Sequence, residues 1–271
     1  MIISANAKIN IGLQVVARRA DGYHELNSVF YPLHIYDIIE LTESTENETV
    51  LHIQGQHIPG DPSDNLCIKA YHLLKKEYEM PAVSIDMIKQ IPIGAGLGGG
   101  SADASFVLKG LNTLFNLHLT NAQLEEYAAK LGADCPFFIE NTPVYATGIG
   151  TSFKRISLDL SAYFIAVVMP DIHISTAEAY ASVVPRAATV NLETAIRLPV
   201  QEWKFHIRND FEDGIFETYP VLKEIKEALY QKGAVYASMT GSGAAIYGIF
   251  WEKIDLTEFE KYGRIFYPSL I

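Results

Sequence analysis

The chain has 271 residues, 49% of them hydrophobic, enough to bury the core of one large domain or two modest ones. A formal net charge of −11 and a pI near 5.2 repel a polyanion, and no local basic patch offsets that field, so a nucleic-acid partner is not expected. The longest apolar run, Tyr163 to Met169, is too short to cross a bilayer, and the two distant cysteines, Cys67 and Cys135, suit neither a disulfide framework nor a thiolate zinc site.

Residues Met1 to Lys8 lack the features of a signal peptide, so a cytoplasmic protein is expected. Alternating apolar and polar residues then predict strands over Ile9–Val16, Val29–His34, Ile38–Thr42 and Val50–Gln54. A helix follows at Asn65–Tyr78, a strand at Val83–Ile88, and helices at Ala102–Phe115 and Thr120–Leu131. The last of these opens on a capping box, Thr120 with Gln123, and stops at Gly132. Strands at Val144–Thr147, Tyr163–Met169, Val235–Thr240 and Ala245–Phe250 are interleaved with helices at Thr176–Val183, Asn191–Arg197, Pro220–Gln231 and Asp255–Tyr262. Runs of strands before the first helix predict an α+β fold, since a doubly wound parallel sheet would alternate strand with helix. The expected boundary separates an N-terminal domain, 1–155, from a C-terminal domain, 156–271.

Five segments along this chain carry chemistry. Lys8 and Asn10 alternate with Ala7, Ile9 and Ile11, so both polar side chains share one strand face. Arg19-Ala20-Asp21-Gly22-Tyr23-His24 sets an aromatic and an imidazole just after a turn, a pair suited to stacking on a base and bonding its edge. Pro92-Ile93-Gly94-Ala95-Gly96-Leu97-Gly98-Gly99-Gly100-Ser101-Ala102 places five glycines in eleven residues between strand and helix. Glycine lets an anion approach the main chain, and the first amides of a helix point outward unbonded, so this turn reads as a phosphate cradle with Ser101, or a residue just before it, as the helix cap. It is not a Walker loop, because no Lys-Ser or Lys-Thr follows the last glycine. At Gly132-Ala133-Asp134-Cys135-Pro136-Phe137-Phe138 a lone carboxylate lies among small and apolar residues, where Lys8 is the type of cation that would hold it ionised. Thr240-Gly241-Ser242-Gly243 is a second glycine turn, between two strands. Taken singly, each segment also has a plain structural reading: a packing turn, a solvated strand face, a surface pair, a turn-capping aspartate and a hairpin loop.

Taken in order, Lys8-Ile9-Asn10, the Pro92–Ala102 loop, Gly132-Ala133-Asp134 and the Thr240–Gly243 turn resemble the GHMP small-molecule kinases from Ser4 to about Phe250. The resemblance implies a two-domain α+β fold with the active site in the interdomain cleft, and an ATP-dependent kinase, Mg²⁺ being expected with the nucleotide. It assigns Pro92, Gly94, Ala95, Gly96, Leu97, Gly98, Gly99, Gly100, Ser101 and Ala102 to ATP, Gly94 to Ser101 at its phosphates, and Asn65 and Lys89 to adenosine. The Arg19–His24 segment and the triple glycine before Ser101 point to the branch acting on a cytidine diphosphate-linked methylerythritol, phosphorylated at the C2 hydroxyl. There Tyr23 and Tyr180 would sandwich the cytosine, His24 would read its edge, and Asn10 and Thr176 would position the substrate. Lys8 and Asp134 would be the catalytic pair at the acceptor hydroxyl, and metal ligands are not assigned. A monomer or weak homodimer is expected, and the tail after Phe250 matches nothing in the resemblance. The alternatives are a GHMP kinase for homoserine or mevalonate, which does not need the Tyr23-His24 pair, and a non-catalytic nucleotide-binding regulator, which gains nothing from Lys8 with Asp134.

Overall fold

The computed structural model describes residues 1–46, 48–56 and 61–268. In chain order the elements are β1 (Ile2–Arg18), β2 (His24–Glu43), β3 (Val50–Gly55), α1 (Leu66–Lys75), β4 (Val83–Lys89), α2 (Gly99–Leu114), α3 (Asn121–Ala129), α4 (Phe137–Glu140), β5 (Val144–Thr147), β6 (Ser152–Arg155) and β7 (Phe164–Pro170). They continue with α5 (Thr176–Ala181), α6 (Leu192–Ala195), α7 (Trp203–His206), α8 (Phe211–Thr218), α9 (Pro220–Gln231), β8 (Tyr236–Met239), β9 (Ile246–Phe250) and β10 (Gly263–Phe266).

The backbone divides into two compact units, but not by one cut near 155. The first comprises Met1–Ala7, Ile35–Ile93 and Gly98–Thr142; the second comprises Lys8–His34, Gly94–Leu97 and Pro143–Ile271. The reason is strand length: β1 and β2 run for 17 and 20 residues, so each passes from one unit into the other. The two strands expected at Val29–His34 and Ile38–Thr42 are one continuous β2, with Asp37 buried at the point where the apolar pattern breaks.

In the first unit the second half of β2 pairs antiparallel with β4, and β4 pairs parallel with β3. Helix α2 packs against α1, α3 and α4, and a Cβ on its Gly110 would overlap the Ile3 and Leu41 side chains, so the glycine permits close helix-to-sheet approach. Ile39, Leu41, Ile85, Met87, Leu74, Val107, Leu108 and Leu111 are buried there. Thr120 and Gln123 form the expected capping box at α3, with Thr120 N donating to Gln123 Oε1 at 3.0 Å and Gln123 N to Thr120 Oγ1 at 3.3 Å.

In the second unit the first half of β2 pairs antiparallel with β5, and β5 with β6. A separate antiparallel sheet has the order β10-β7-β9-β8. Its core gathers Val168, Met239 and Ile246 from the sheet with Phe211 and Ile215 of α8 and Leu222, Ile225 and Leu229 of α9. The tail after Phe250 thus has a structural place: β10 extends the sheet along β7. The helix expected at Asp255–Tyr262 is only a 3₁₀ turn, Thr257–Lys261. Among the described residues no helix is long and apolar enough to cross a membrane.

Candidate active site

The glycine loop begins in the second unit and enters the first at Gly98. Gly94, Gly96 and Gly98 have φ of +66°, +74° and +71°. Gly98 is the N-cap of α2 and provides no side-chain cap, so the helix starts at Gly99, three residues before the expected start, and Ser101 is its third residue rather than its cap. The first ladder bond runs from Ala102 N to Gly98 O at 2.9 Å, which leaves the amides of Gly99, Gly100 and Ser101 outside the helical ladder. At exposed Gly100 a Cβ would meet no atom within 4 Å. An open, uncapped helix N-terminus lined by glycine fits an anion of phosphate size.

In the second unit the loop is fixed from beneath. Lys8 N donates to Leu97 O at 2.9 Å, and Ala245 N to Ala95 O at 3.3 Å. Thr240 Oγ1 accepts from Asn10 N at 3.0 Å and donates to Gly96 O at 3.0 Å. Asn209 Nδ2 donates to Met239 O at 2.9 Å and to Gly241 O at 2.8 Å, which holds the Thr240–Gly243 turn in place. That turn is the β8-β9 hairpin loop, as its plain reading expects, and it also seats the glycine loop: a Cβ on Gly96 would fall on the Thr240 carbonyl oxygen.

Lys8 and Asn10 share the strand face as expected, yet that face is buried, with the two residues 3% and 2% exposed. Lys8 Nζ donates to Asn10 Oδ1 and lies 4.9 Å from the Phe30 ring centroid. Asn10 Nδ2 donates to Ser28 Oγ at 2.8 Å, and Ser28 Oγ to Gly12 O at 2.7 Å. The amide of Asn10 is therefore oriented from both ends, one oxygen toward the ammonium and one nitrogen toward a hydroxyl.

His24 and Tyr180 meet at a centroid distance of 4.6 Å and an interplanar angle of 18°. Phe211 stands edge-on to Tyr180 at 5.0 Å. The ring stacked on Tyr180 is thus the imidazole, whereas Tyr23, expected as its sandwich partner, is 61% exposed. Neighbouring residues of an extended chain point to opposite faces, so Tyr23 and His24 do not approach the same ring face together. Arg19 closes the turn before them through ion pairs to Asp21 and Glu25, both at 3.0 Å, and holds the Asp21 carboxyl below its ordinary range. Thr176 opens α5 and is exposed, next to the capping Ser175.

Asp134 is half-buried in the turn between α3 and α4, within the first unit. Asn65 caps α1 by accepting from Cys67 N at 2.8 Å. The Lys89 side chain, expected at adenosine, is 2% exposed and held by Asp37 and by Asp103, the latter at 2.6 Å, so its ammonium is enclosed. Burial pushes the Asp103 carboxyl up to about 8, with Lys89 opposing the rise and Asp37 reinforcing it. Sequence reasoning missed this cluster; its signal was an aspartate interrupting the apolar alternation of β2 at position 37. It also missed Asn209, Ser28 and His173, whose imidazole would lie 2.8 Å from a Cβ on Gly94.

The description "GHMP kinases N terminal domain" fits residues 65–141, and "GHMP kinases C terminal" fits residues 201–269. A relative from Bacteroides fragilis, named 4-diphosphocytidyl-2-C-methyl-D-erythritol kinase, is 50% identical over 264 residues, 96% of either chain. This chain belongs to the 4-diphosphocytidyl-2-C-methyl-D-erythritol kinase family of GHMP kinases. A crystal structure of a 4-(cytidine 5′-diphospho)-2C-methyl-D-erythritol kinase matches it at 29% identity with a TM-score of 0.82, over 99% of this chain and 98% of that one. The mevalonate kinase of Methanococcus jannaschii, 15% identical with a TM-score of 0.71 over 100% and 98% of the two chains, shares the fold alone. As a member of this kinase family the chain is an ATP-dependent small-molecule kinase, and the regulator reading falls away.

Proposed function

We propose that the chain transfers the γ-phosphoryl group of ATP to the C2 hydroxyl of 4-diphosphocytidyl-2-C-methyl-D-erythritol. The observation that carries the phosphate half of this reading is the α2 N-terminus, open at Gly100 and free of a side-chain cap. The acceptor half rests on relatives named for that substrate across nearly the whole chain.

Phosphoryl transfer asks little covalent chemistry of a protein; it needs an aligned hydroxyl and neutralised charge. In this reading the amides of Gly99, Gly100 and Ser101 bind phosphate oxygens, with the helix dipole adding to the attraction. Mg²⁺ expected with the nucleotide would have the Ser101 hydroxyl, in the first turn of α2, as its nearby protein candidate. Bound there, it would neutralise phosphate charge. Asp134 is assigned as the group that orients or accepts the hydroxyl proton, and Lys8 as the cation that stabilises charge on the attacking oxygen. Asn10 fixes the Lys8 ammonium, a positioning role supported by their hydrogen bond.

Cytosine would stack on Tyr180, and Tyr23 would cover its far side. The Tyr180 face now taken by His24 then has to be vacated, and an imidazole moved from face to edge becomes a donor or acceptor for the base. Asn65 and Thr176 are retained as adenosine and substrate contacts respectively. We assign a cytoplasmic location and a monomer or weak homodimer.

The test is ADP release with MgATP and the cytidine-linked acceptor, run beside homoserine and mevalonate. Turnover confined to the cytidine acceptor is expected; turnover with homoserine or mevalonate instead would overturn the acceptor assignment.

A further inference from the structure

The buried cluster of Asp37, Lys89 and Asp103 has no part in the chemistry above, and it lies directly under the phosphate loop. A Cβ on Gly99 would stand 3.1 Å from Lys89 Nζ, so the ammonium is set against the first residue of α2. Asp37 Oδ1 accepts the backbone amides of Gln90 and Ile91, the second at 2.9 Å, and thereby anchors the lead-in to the glycine loop while its Oδ2 accepts from Lys89. Asp103 is one turn into α2; its Oδ2 accepts from Lys89 at 2.6 Å, and its Oδ1 is buried with no hydrogen-bond partner. Two carboxylates therefore share one cation. Ionised together they leave one excess negative charge beneath the loop, and a proton on Asp103 cancels it.

An unpartnered carboxylate oxygen away from water disfavours the ionised form, and a second anion nearby adds to that. The other titratable groups facing the cluster are the thiol of Cys67 on α1 and, electrostatically coupled to Cys67, that of Cys135 before α4; burial pushes both upward, so they remain neutral. Asp103 is thus the member of the cluster whose protonation changes its charge in the neutral-to-alkaline range.

We propose that Asp103 is a positioning residue whose proton controls nucleotide affinity: neutral, it leaves the cluster beneath the α2 amides without net charge; ionised, it adds a negative charge that opposes the phosphates bound there. The inference rests on the assignment of ATP to the glycine loop. Binding of ATP would then favour the protonated cluster, and by linkage the protein would take up a proton as nucleotide binds.

Calorimetric titration with MgATP, without acceptor, tests this at about pH 7.5 and about pH 9.5 in two buffers of different protonation enthalpy. The wild-type Kd is expected to rise roughly five- to tenfold across that interval, as for a unit charge acting over roughly 10 Å at an effective dielectric of about 20. Net proton uptake should accompany binding near pH 8. Asp103→Asn keeps an oxygen for Lys89 but cannot ionise, so its Kd should hold within about twofold and the uptake should vanish. An identical slope and uptake in both proteins would overturn the proposal. Should the variant not fold, binding by the wild type without proton uptake overturns it equally. No MgATP binding at any pH overturns the nucleotide assignment together with this inference, whereas binding insensitive to Asp103 overturns the inference alone.

Discussion

Two alanine substitutions in the glycine loop, at Gly96 and Gly100, should behave in opposite ways. Gly100 lies in the first turn of α2, and an added Cβ meets nothing within 4 Å. Alanine there reduces the freedom of the unfolded chain, so Gly100→Ala should raise stability by about 0.5–1 kcal/mol. The same methyl projects into the open space where phosphate is assigned. Displacing phosphate from the helix amides forfeits charge-assisted hydrogen bonds of ~1.5–3 kcal/mol, so ATP binding should weaken roughly 10- to 100-fold. Gly96, by contrast, has φ of +74°, and its Cβ would overlap the Thr240 carbonyl oxygen and lie 2.8 Å from the carbonyl carbon. Left-handed backbone costs alanine ~1–2 kcal/mol and the overlap with main chain ~1–3 more, a loss of about 2–5 kcal/mol in all. Urea denaturation and nucleotide calorimetry on both variants measure the two effects separately. A Gly100→Ala protein that binds ATP like the wild type would refute the phosphate cradle. A Gly96→Ala protein of undiminished stability would refute the packing of the loop on the Thr240 turn.

Asp134→Asn should lower turnover by ~10²-fold or more while nucleotide binding is largely kept, since general acid–base help is worth about that factor; single-turnover kinetics reporting normal chemistry would remove Asp134 from the mechanism. His24→Ala should narrow the preference for the cytidine acceptor over its uridine analogue, because stacking at ~1–3 kcal/mol per base tolerates any base and selection must come from edge bonds. Competition between the two acceptors reads this directly, and an unchanged preference ratio excludes the role. Stability should also depend on Asp103. Its carboxyl is raised from 3.8 to about 8 in the folded chain, so between those values the folded state holds more protons than the unfolded one and stability falls as pH rises, levelling above about 8. Thermal melts across that window should show a shallower fall in Asp103→Asn; parallel curves would show that Asp103 does not set it.

Much of the fold was legible because its signals are local. Thr120 with Gln123 marks the start of α3, Pro220 opens α9 at the position where a missing amide costs nothing, and β5 follows the alternation of Val144–Thr147. What escaped was short or interrupted. Helices α4 and α7 are four residues each, below the length at which helical periodicity can be read, and α8 contains Gly214, which lowers helix propensity. That glycine has a tertiary cause invisible in sequence: a Cβ there would overlap Ser182. The compact units do not follow a single cut at 155 for the same kind of reason, since nothing local in β1 or β2 marks where a strand leaves one unit for the other.

The site divides along the same line. Positions set by backbone shape were readable: glycine repetition marked the uncapped start of α2, and Lys8 and Asn10 were placed on one face by strand periodicity alone. Residues whose role depends on burial were not. Lys89 has the composition of an exposed ligand contact, and only the enclosure by Asp37 and Asp103, 52 and 14 residues away in sequence, turns it into an internal charge. A buried lysine between two aspartates is expensive to assemble, since desolvation of three ionisable groups offsets most of their attraction. Hydrophobic residues of similar volume would pack the same space at lower cost, so fold stability alone gives little reason for charge at this place. Its location under the first turn of α2, rather than elsewhere in the core, is what connects it to the phosphate role proposed for the loop.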